Sequence, residues 1–175
     1  GRMSIQKGPD LLVEAVPRIL NNRHDVRFIF MGEGGMRHEC ESRARELGVA
    51  DACRFLGYTS SADKEELVNA CDLMCVPSRN EPFGVVVLEA WDACKPVVAT
   101  EAVSIINNFE DGLVAYVQPE SIAWCINRLL ANPEEMVKLA RAGCNRIETE
   151  FSWDHIAEKT EQVYLGAREP GRQMP

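Results

Sequence analysis

Two glutamates, Glu81 and Glu89, bracket the segment Glu-Pro-Phe-Gly-Val-Val-Val-Leu-Glu. Residues from Gly84 to Ala93 read as a helix that follows a strand and a loop. Glu81 then lies in the loop, and Glu89 about one and a half turns into the helix. The free backbone N–H groups near Phe83, Gly84 and Val85 face the strand ends, where they can receive an anion such as a diphosphate. Carboxylates are strong acceptors for paired hydroxyls, as on a ribose or a sugar ring. The segment suits a molecule with hydroxyls at both ends and a diphosphate between them. Spacing alone favours a second reading: two solvated charges at a helix start, where acidic residues are favoured in any case.

The opening residues Gly1-Arg2-Met3-Ser4-Ile5-Gln6-Lys7-Gly8 put two cations ahead of the first helix. A departing diphosphate gains charge as its bond to a sugar breaks. Fixed cations therefore stabilise the transition state more than the ground state. Taken alone, Arg2 and Lys7 also read as ordinary surface bases.

The elements that must position these groups alternate. Asp10 reads as the cap of a helix burying Leu11, Leu12, Ala15, Val16, Ile19 and Leu20, with a kink expected at Pro17. Val26 to Met31 reads as a buried strand ending at the turn Gly32-Glu33-Gly34-Gly35. A charged helix from about Met36 to Leu47 stops at Gly48. A strand from Cys53 to Leu56, a helix starting at Ser61 or Asp63 and a strand from Asp72 to Val76 follow. Pro96 to Thr100 and Leu113 to Val117 are the last strands. Helices then run over about Glu120 to Leu130, Pro133 to Thr149 and Trp153 to Leu165. The valines of Gly84 to Ala93 are poor helix formers, so that helix rests on context. Residues from Glu169 read as a frayed tail. Alternation of this kind implies an α/β fold, a mostly parallel sheet covered on both faces, with ligands bound at the carboxyl ends of the strands.

Composition narrows the class of protein. With 175 residues the chain suits one domain, and its 46% hydrophobic and 26% charged residues are ordinary globular values. A net charge of -8 argues against nucleic-acid binding, so a polyanionic ligand needs a local basic site. Seven cysteines are scattered without a Cys-x-x-Cys pair, and His24, His38 and His155 stand apart. This spacing speaks against a disulfide framework or a zinc site, and most of the thiols read as small core residues. Reduced cysteines suggest a cytoplasmic location. Neither a transmembrane run nor a signal peptide is visible.

The ordered motifs resemble those of family-four retaining glycosyltransferases, which include glycogen and sucrose synthases. They are Gly1-Arg2-x4-Lys7-Gly8, Met31-Gly32-Glu33-Gly34, Arg54-Phe55-Leu56-Gly57-Tyr58, Pro77-Ser78-Arg79-Asn80-Glu81, Phe83-Gly84 with Leu88-Glu89-Ala90, Lys95 to Thr100, and Phe151-Ser152-Trp153. The resemblance covers about residues 1 to 165. It implies the Rossmann-like C-terminal half of a GT-B fold, spanning residues 1 to 168, that binds a nucleotide-diphosphate sugar such as a UDP-, ADP- or GDP-sugar.

The resemblance also implies roles. Arg2 and Lys7 hold the donor diphosphate, and Glu81 contacts hydroxyls of the transferred sugar; these three form the catalytic set. The backbone at Phe83, Gly84 and Val85 contacts the sugar and distal phosphate, and Glu89 accepts from the ribose. Leu56, Gly57 and Tyr58 lie beside the base, while Gly32 and Gly34 let the chain pass close to the donor. No cofactor is implied. With no Asp-x-Asp pair for a divalent metal, Arg2 and Lys7 take its place.

Three departures from the family pattern stand out. An apolar strand central to the family's sheet normally precedes Gly-Arg. The N-terminal acceptor domain, about 150 to 200 residues, is also absent, so the chain alone is expected not to turn over substrate efficiently. Finally, Glu101 to Asn108 lacks the family's Gly-Gly pair. Ile156, Val163, Tyr164 and Leu165, on the helix that crosses to the other domain in the family, form either a self-association patch or part of this domain's own core. A binding module that recognises a nucleotide sugar without catalysis remains the second reading. A nicotinamide-dependent oxidoreductase is disfavoured, because Gly32-Glu33-Gly34-Gly35 lacks the third glycine and the acidic ribose partner.

Overall fold

The computed structural model describes residues 1–167; the tail expected to fray from Glu169 lies outside the described residues. The strands are β1 (Phe28–Met31), β2 (Cys53–Gly57), β3 (Met74–Val76), β4 (Val97–Thr100) and β5 (Leu113–Ala115). The helices are α1 (Pro9–Leu20), α2 (Arg37–Glu46), α3 (Ser61–Ala70), α4 (Val85–Asp92), α5 (Pro119–Ala131), α6 (Pro133–Glu150) and α7 (Trp153–Ala167). Every strand pair is parallel.

All four residues of β4 are buried. Successive side chains of a strand point to opposite faces, and the two faces of β4 feed two cores. Val98 joins a core with α1, α2 and α5, whereas Val97 and Ala99 join Val76, Val87, Trp91 and Ile106 in the other. A strand covered on both faces is the mark of a three-layer α/β/α domain.

The strands form two sheets, β1–β2 and β3–β4–β5, rather than the single sheet expected. The gap between them is a cleft of about 610 Å³ lined from both sides, by Ile29 and Met31 of β1 and by Met74 and Cys75 of β3. At the end of β1 the Met31 carbonyl accepts from Gly1 N at 2.7 Å.

Helix boundaries follow local chemistry. α1 starts at Pro9 after Gly8 in the left-handed conformation, so Asp10 is not the cap; its carboxylate instead pairs with Arg79. The helix continues past Pro17 to Leu20. α3 starts at Ser61, the first of the two starts expected from the sequence, and Ser60 caps it by accepting from the Asp63 N–H at 3.1 Å. The valine-rich α4 is stabilised by packing rather than propensity, since Val87, Ala90 and Trp91 are buried.

One cysteine expectation needs correction: Cys94 and Cys144 form a disulfide, with Cα atoms 5.0 Å apart. The packing of α4 on α6 brings them together across 50 residues, a proximity that no local spacing reveals. Cys40, Cys53 and Cys125 are buried free thiols, as read. None of the residues of α7 is buried, and Val163, Tyr164 and Leu165 are exposed. Those side chains do not form part of this domain's core.

Candidate donor site

The site is assembled by the first eight residues, which lie over two loops. Met3 donates its N–H to Glu33 O at 2.8 Å and accepts at its carbonyl from Met36 N–H at 3.0 Å. Gly32 and Gly34, with φ of 126° and 154°, leave room for this crossing. A Cβ on Gly32 would strike the Gly1 carbonyl, and one on Gly34 the Met3 carbonyl. The close approach that these glycines allow is therefore that of the chain's own N-terminal segment.

A second tie positions Lys7. The Gln6 carbonyl accepts from the N–H groups of Arg79 at 2.7 Å and Asn80 at 3.2 Å, which fastens the loop after β3 to the short 3₁₀ turn Ile5–Lys7. Below that loop the buried Thr100 hydroxyl donates to the Ser78 carbonyl. Lys7 is thereby set against Glu81, and the two side chains form an ion pair. On α4, Glu89 pairs with Lys64 of α3 at 2.7 Å.

One cavity of about 560 Å³ collects Arg2, Lys7, Gly32, Tyr58, Glu81 and Glu89. Gly34, Leu56, Gly57, Phe83, Gly84 and Val85 are not in its wall. The Phe83 ring instead meets Phe151 edge-on at 6.2 Å, and Gly84 is the left-handed N-cap of α4. Gly57 acts through its backbone, its carbonyl accepting from Gly32 N–H at 2.7 Å. Leu56 and Val85 are exposed. Lys64, Glu33 and Thr59 also line the cavity and were not picked out from the sequence. Lys64 lies on a helix of low amphipathicity, and only the tertiary contact with Glu89 marks it.

The wall thus combines three cations, Arg2, Lys7 and Lys64, with three carboxylates, Glu33, Glu81 and Glu89. Four of these six are paired within the site, while Glu33 bonds Arg37 at 2.5 Å. Arg2 makes no side-chain ion pair among the described residues and is exposed. Such a mixed wall suits a ligand that carries both negative charge and hydroxyls. Among the described residues no three His, Cys, Asp or Glu side chains cluster to hold a metal, and none of His24, His38 or His155 lines the cavity.

A family model described as glycosyl transferases group 1 matches residues 1–146. The chain belongs to this family. It is 35% identical to an uncharacterized glycosyltransferase of Methanocaldococcus jannaschii over 97% of its own length and 44% of the relative's. The Anabaena protein HepE, solved in complex with UDP, superposes with a TM-score of 0.85 at 24% identity, covering 95% of this chain and 47% of HepE. The C-terminal domain of a group 1 glycosyl transferase from Francisella tularensis gives 0.82 at 24% identity, covering 87% of this chain and 84% of that domain. The group 1 chain described here is therefore the C-terminal Rossmann-like half of a GT-B fold, and it spans about half the length of the relatives it matches. No helix among the described residues is long and apolar enough to cross a membrane.

Proposed function

We propose that this domain binds the donor of a retaining glycosyltransferase, a nucleotide-diphosphate sugar, and transfers its hexose once an acceptor domain closes the cleft. The observation that carries the proposal is the convergence of Arg2, Lys7, Glu81 and Glu89 on one cavity from opposite ends of the sequence. Arg2 and Lys7 balance the charge of the departing diphosphate, the role a divalent metal serves elsewhere. Glu81 accepts from hydroxyls of the transferred sugar, and Glu89 accepts from the ribose. Attack on the same face as the departing diphosphate retains the anomeric configuration.

Calorimetry with UDP-, ADP- and GDP-sugars tests the reading. Binding of one of them at micromolar to millimolar affinity, weakened in Glu89→Ala, is the expected result. Absence of any nucleotide binding at millimolar concentration would remove the donor assignment for this chain. A non-catalytic module that recognises a nucleotide sugar is the second reading. Transfer measured after adding an acceptor domain separates the two.

A further inference from the structure

Arg146 lies on α6, outside the wall of the donor cavity. Its side chain is largely buried, and its guanidinium is bonded in two directions. Inward, Nη1 donates to the Ile105 carbonyl at 2.9 Å and to Asp111 Oδ2 at 2.6 Å. Outward, Nε and Nη2 reach Glu150 at 3.0 and 2.8 Å. The ring centres of Trp91 and Phe151 lie 5.1 and 5.4 Å from the guanidinium carbon.

The inward bonds pin one loop at two points. Asp111 is buried, and its other oxygen accepts from the Asn107 N–H at 2.9 Å. Ile105 is thus held through its own carbonyl and Asn107 through Asp111. A buried ion pair contributes little net stability, since desolvation offsets attraction. Its short, charge-assisted bonds instead fix where the loop lies.

That loop backs the segment that carries Glu81. Val103 and Glu81 form a parallel backbone bridge. Gly84 is seated on the same loop: a Cβ there would come within 2.9 Å of a Val103 methyl and 3.6 Å of an Ile105 methyl. Between these two points, the Phe83 ring meets Phe151, one of the two rings beside Arg146. The turn from Glu81 to Gly84 therefore rests on groups that Arg146 holds. The other donor-site charges are supported elsewhere: Lys7 sits on the N-terminal turn, and Glu89 pairs with Lys64 of α3. Among the described residues, neither Lys7 nor Glu89 makes a side-chain bond to Arg146, Asp111 or their loop.

We infer that Arg146 is a positioning residue for the sugar end of the donor: through Ile105, Asp111 and Phe151 it sets the turn from Glu81 to Gly84, and with it the Glu81 carboxylate. The inference rests on the donor reading proposed above. UDP, ADP, GDP and their glucose conjugates are titrated calorimetrically into the wild-type chain, and the diphosphate and conjugate that bind tightest are carried to the variants. Arg146→Met should weaken the nucleotide sugar at least about tenfold more than the diphosphate, the scale of one lost hydrogen bond to a charged group. Arg146→Lys keeps a charge on Asp111 without the planar fork, so it should recover part of that loss. Glu150→Ala removes only the outward bonds to a half-exposed carboxylate and should leave both affinities within about twofold. If the melting transition shows that Arg146→Met does not fold, Arg146→Lys decides, with an expected loss of at least about threefold for the nucleotide sugar alone. Support of the fold in general would weaken both ligands together. Equal losses for the two ligands, or no loss for the nucleotide sugar in the folded Arg146 variants, overturn the inference and leave the donor reading standing. A wild-type chain that binds none of the six nucleotides removes the donor reading, and this inference with it.

Discussion

Lys7 and Glu81 are bonded to each other across 74 positions of sequence. On the proposed assignment the pair sets a cation for the diphosphate against a carboxylate for the sugar, and donor binding then divides it. Their substitutions should therefore differ in kind. Lys7→Ala should weaken nucleoside diphosphate and nucleotide sugar alike, by about 1.5 to 3 kcal/mol, as expected for a hydrogen bond to a charged group. Glu81→Ala should weaken only the nucleotide sugar and leave the diphosphate unchanged or tighter, since Lys7 is then free. Calorimetry with UDP and a UDP-sugar on both variants reads this contrast. Equal losses for the two ligands in Glu81→Ala would refute the assignment of Glu81 to the sugar.

Glu89 is held at the cavity by Lys64, a cation from a neighbouring helix. If Glu89 accepts from ribose hydroxyls, Glu89→Ala should cost about 1 to 3 kcal/mol with UDP. The cost should shrink to a few tenths with a 2′,3′-dideoxy analogue. Lys64→Ala should have a smaller effect that falls at high salt, because the pair is partly exposed. A Glu89→Ala loss that is the same for both nucleotides would separate Glu89 from the ribose.

How much of this was readable in the sequence depends on the range of each interaction. Glu81, Gly84 and Glu89 lie within one loop–helix unit, so their spacing showed the possible site. The ordered motifs then separated it from a plain helix start. Lys64 lies on a helix with little hydrophobic periodicity and acquires meaning only through an ion pair formed by the fold. Asp10 looked like a cap because its side chain suits one, yet Gly8 and Pro9 had already started the helix and Arg79 claimed the carboxylate. The Cys94–Cys144 bridge is likewise a tertiary fact. Phe83 is singled out for its backbone; that its ring lies edge-on to Phe151, far along the chain, is a further tertiary fact.

Buried thiols predict an alkaline limit to stability. Burial pushes Cys53 from 9.0 to about 11 and Cys75 to about 12, and Cys40 and Cys125 also rise to about 11. A folded-state pKa above the unfolded one means the native chain keeps protons that the unfolded chain loses. The associated stability is complete below pH 9 and declines as pH rises toward 11 to 12. The thiols should leave melting midpoints unchanged between about pH 7 and 9 and lower them above it. Replacing Cys53 with alanine should flatten part of the decline while lowering the midpoint at neutral pH. A midpoint that rises between pH 9 and 11 would contradict the argument.

The joint between α4 and α6 should be sensitive both to redox state and to a single methyl group. Gly143 lies directly on Trp91, so the Cβ of Gly143→Ala would strike the indole ring, and Trp91 is fully buried with its Nε1 donating to the Asp111 carbonyl at 3.2 Å. Overpacking of this kind costs about 1 to 3 kcal/mol, or roughly 2 to 12 °C at about 2 to 4 °C per kcal/mol for a chain of this size. The Cys94–Cys144 bridge closes a loop of 50 positions at the same joint. Chain entropy gives such a crosslink about 4 kcal/mol at most. Reduction by a dithiol should therefore lower the melting midpoint, and Cys144→Ala should lower it to the same value and abolish the response. Because the two perturbations share the helix pair, the combined Gly143→Ala, Cys144→Ala variant should depart from the sum of the single losses by more than about 0.5 kcal/mol. Strict additivity would mean that the bridge and the Trp91 contact act on the joint independently.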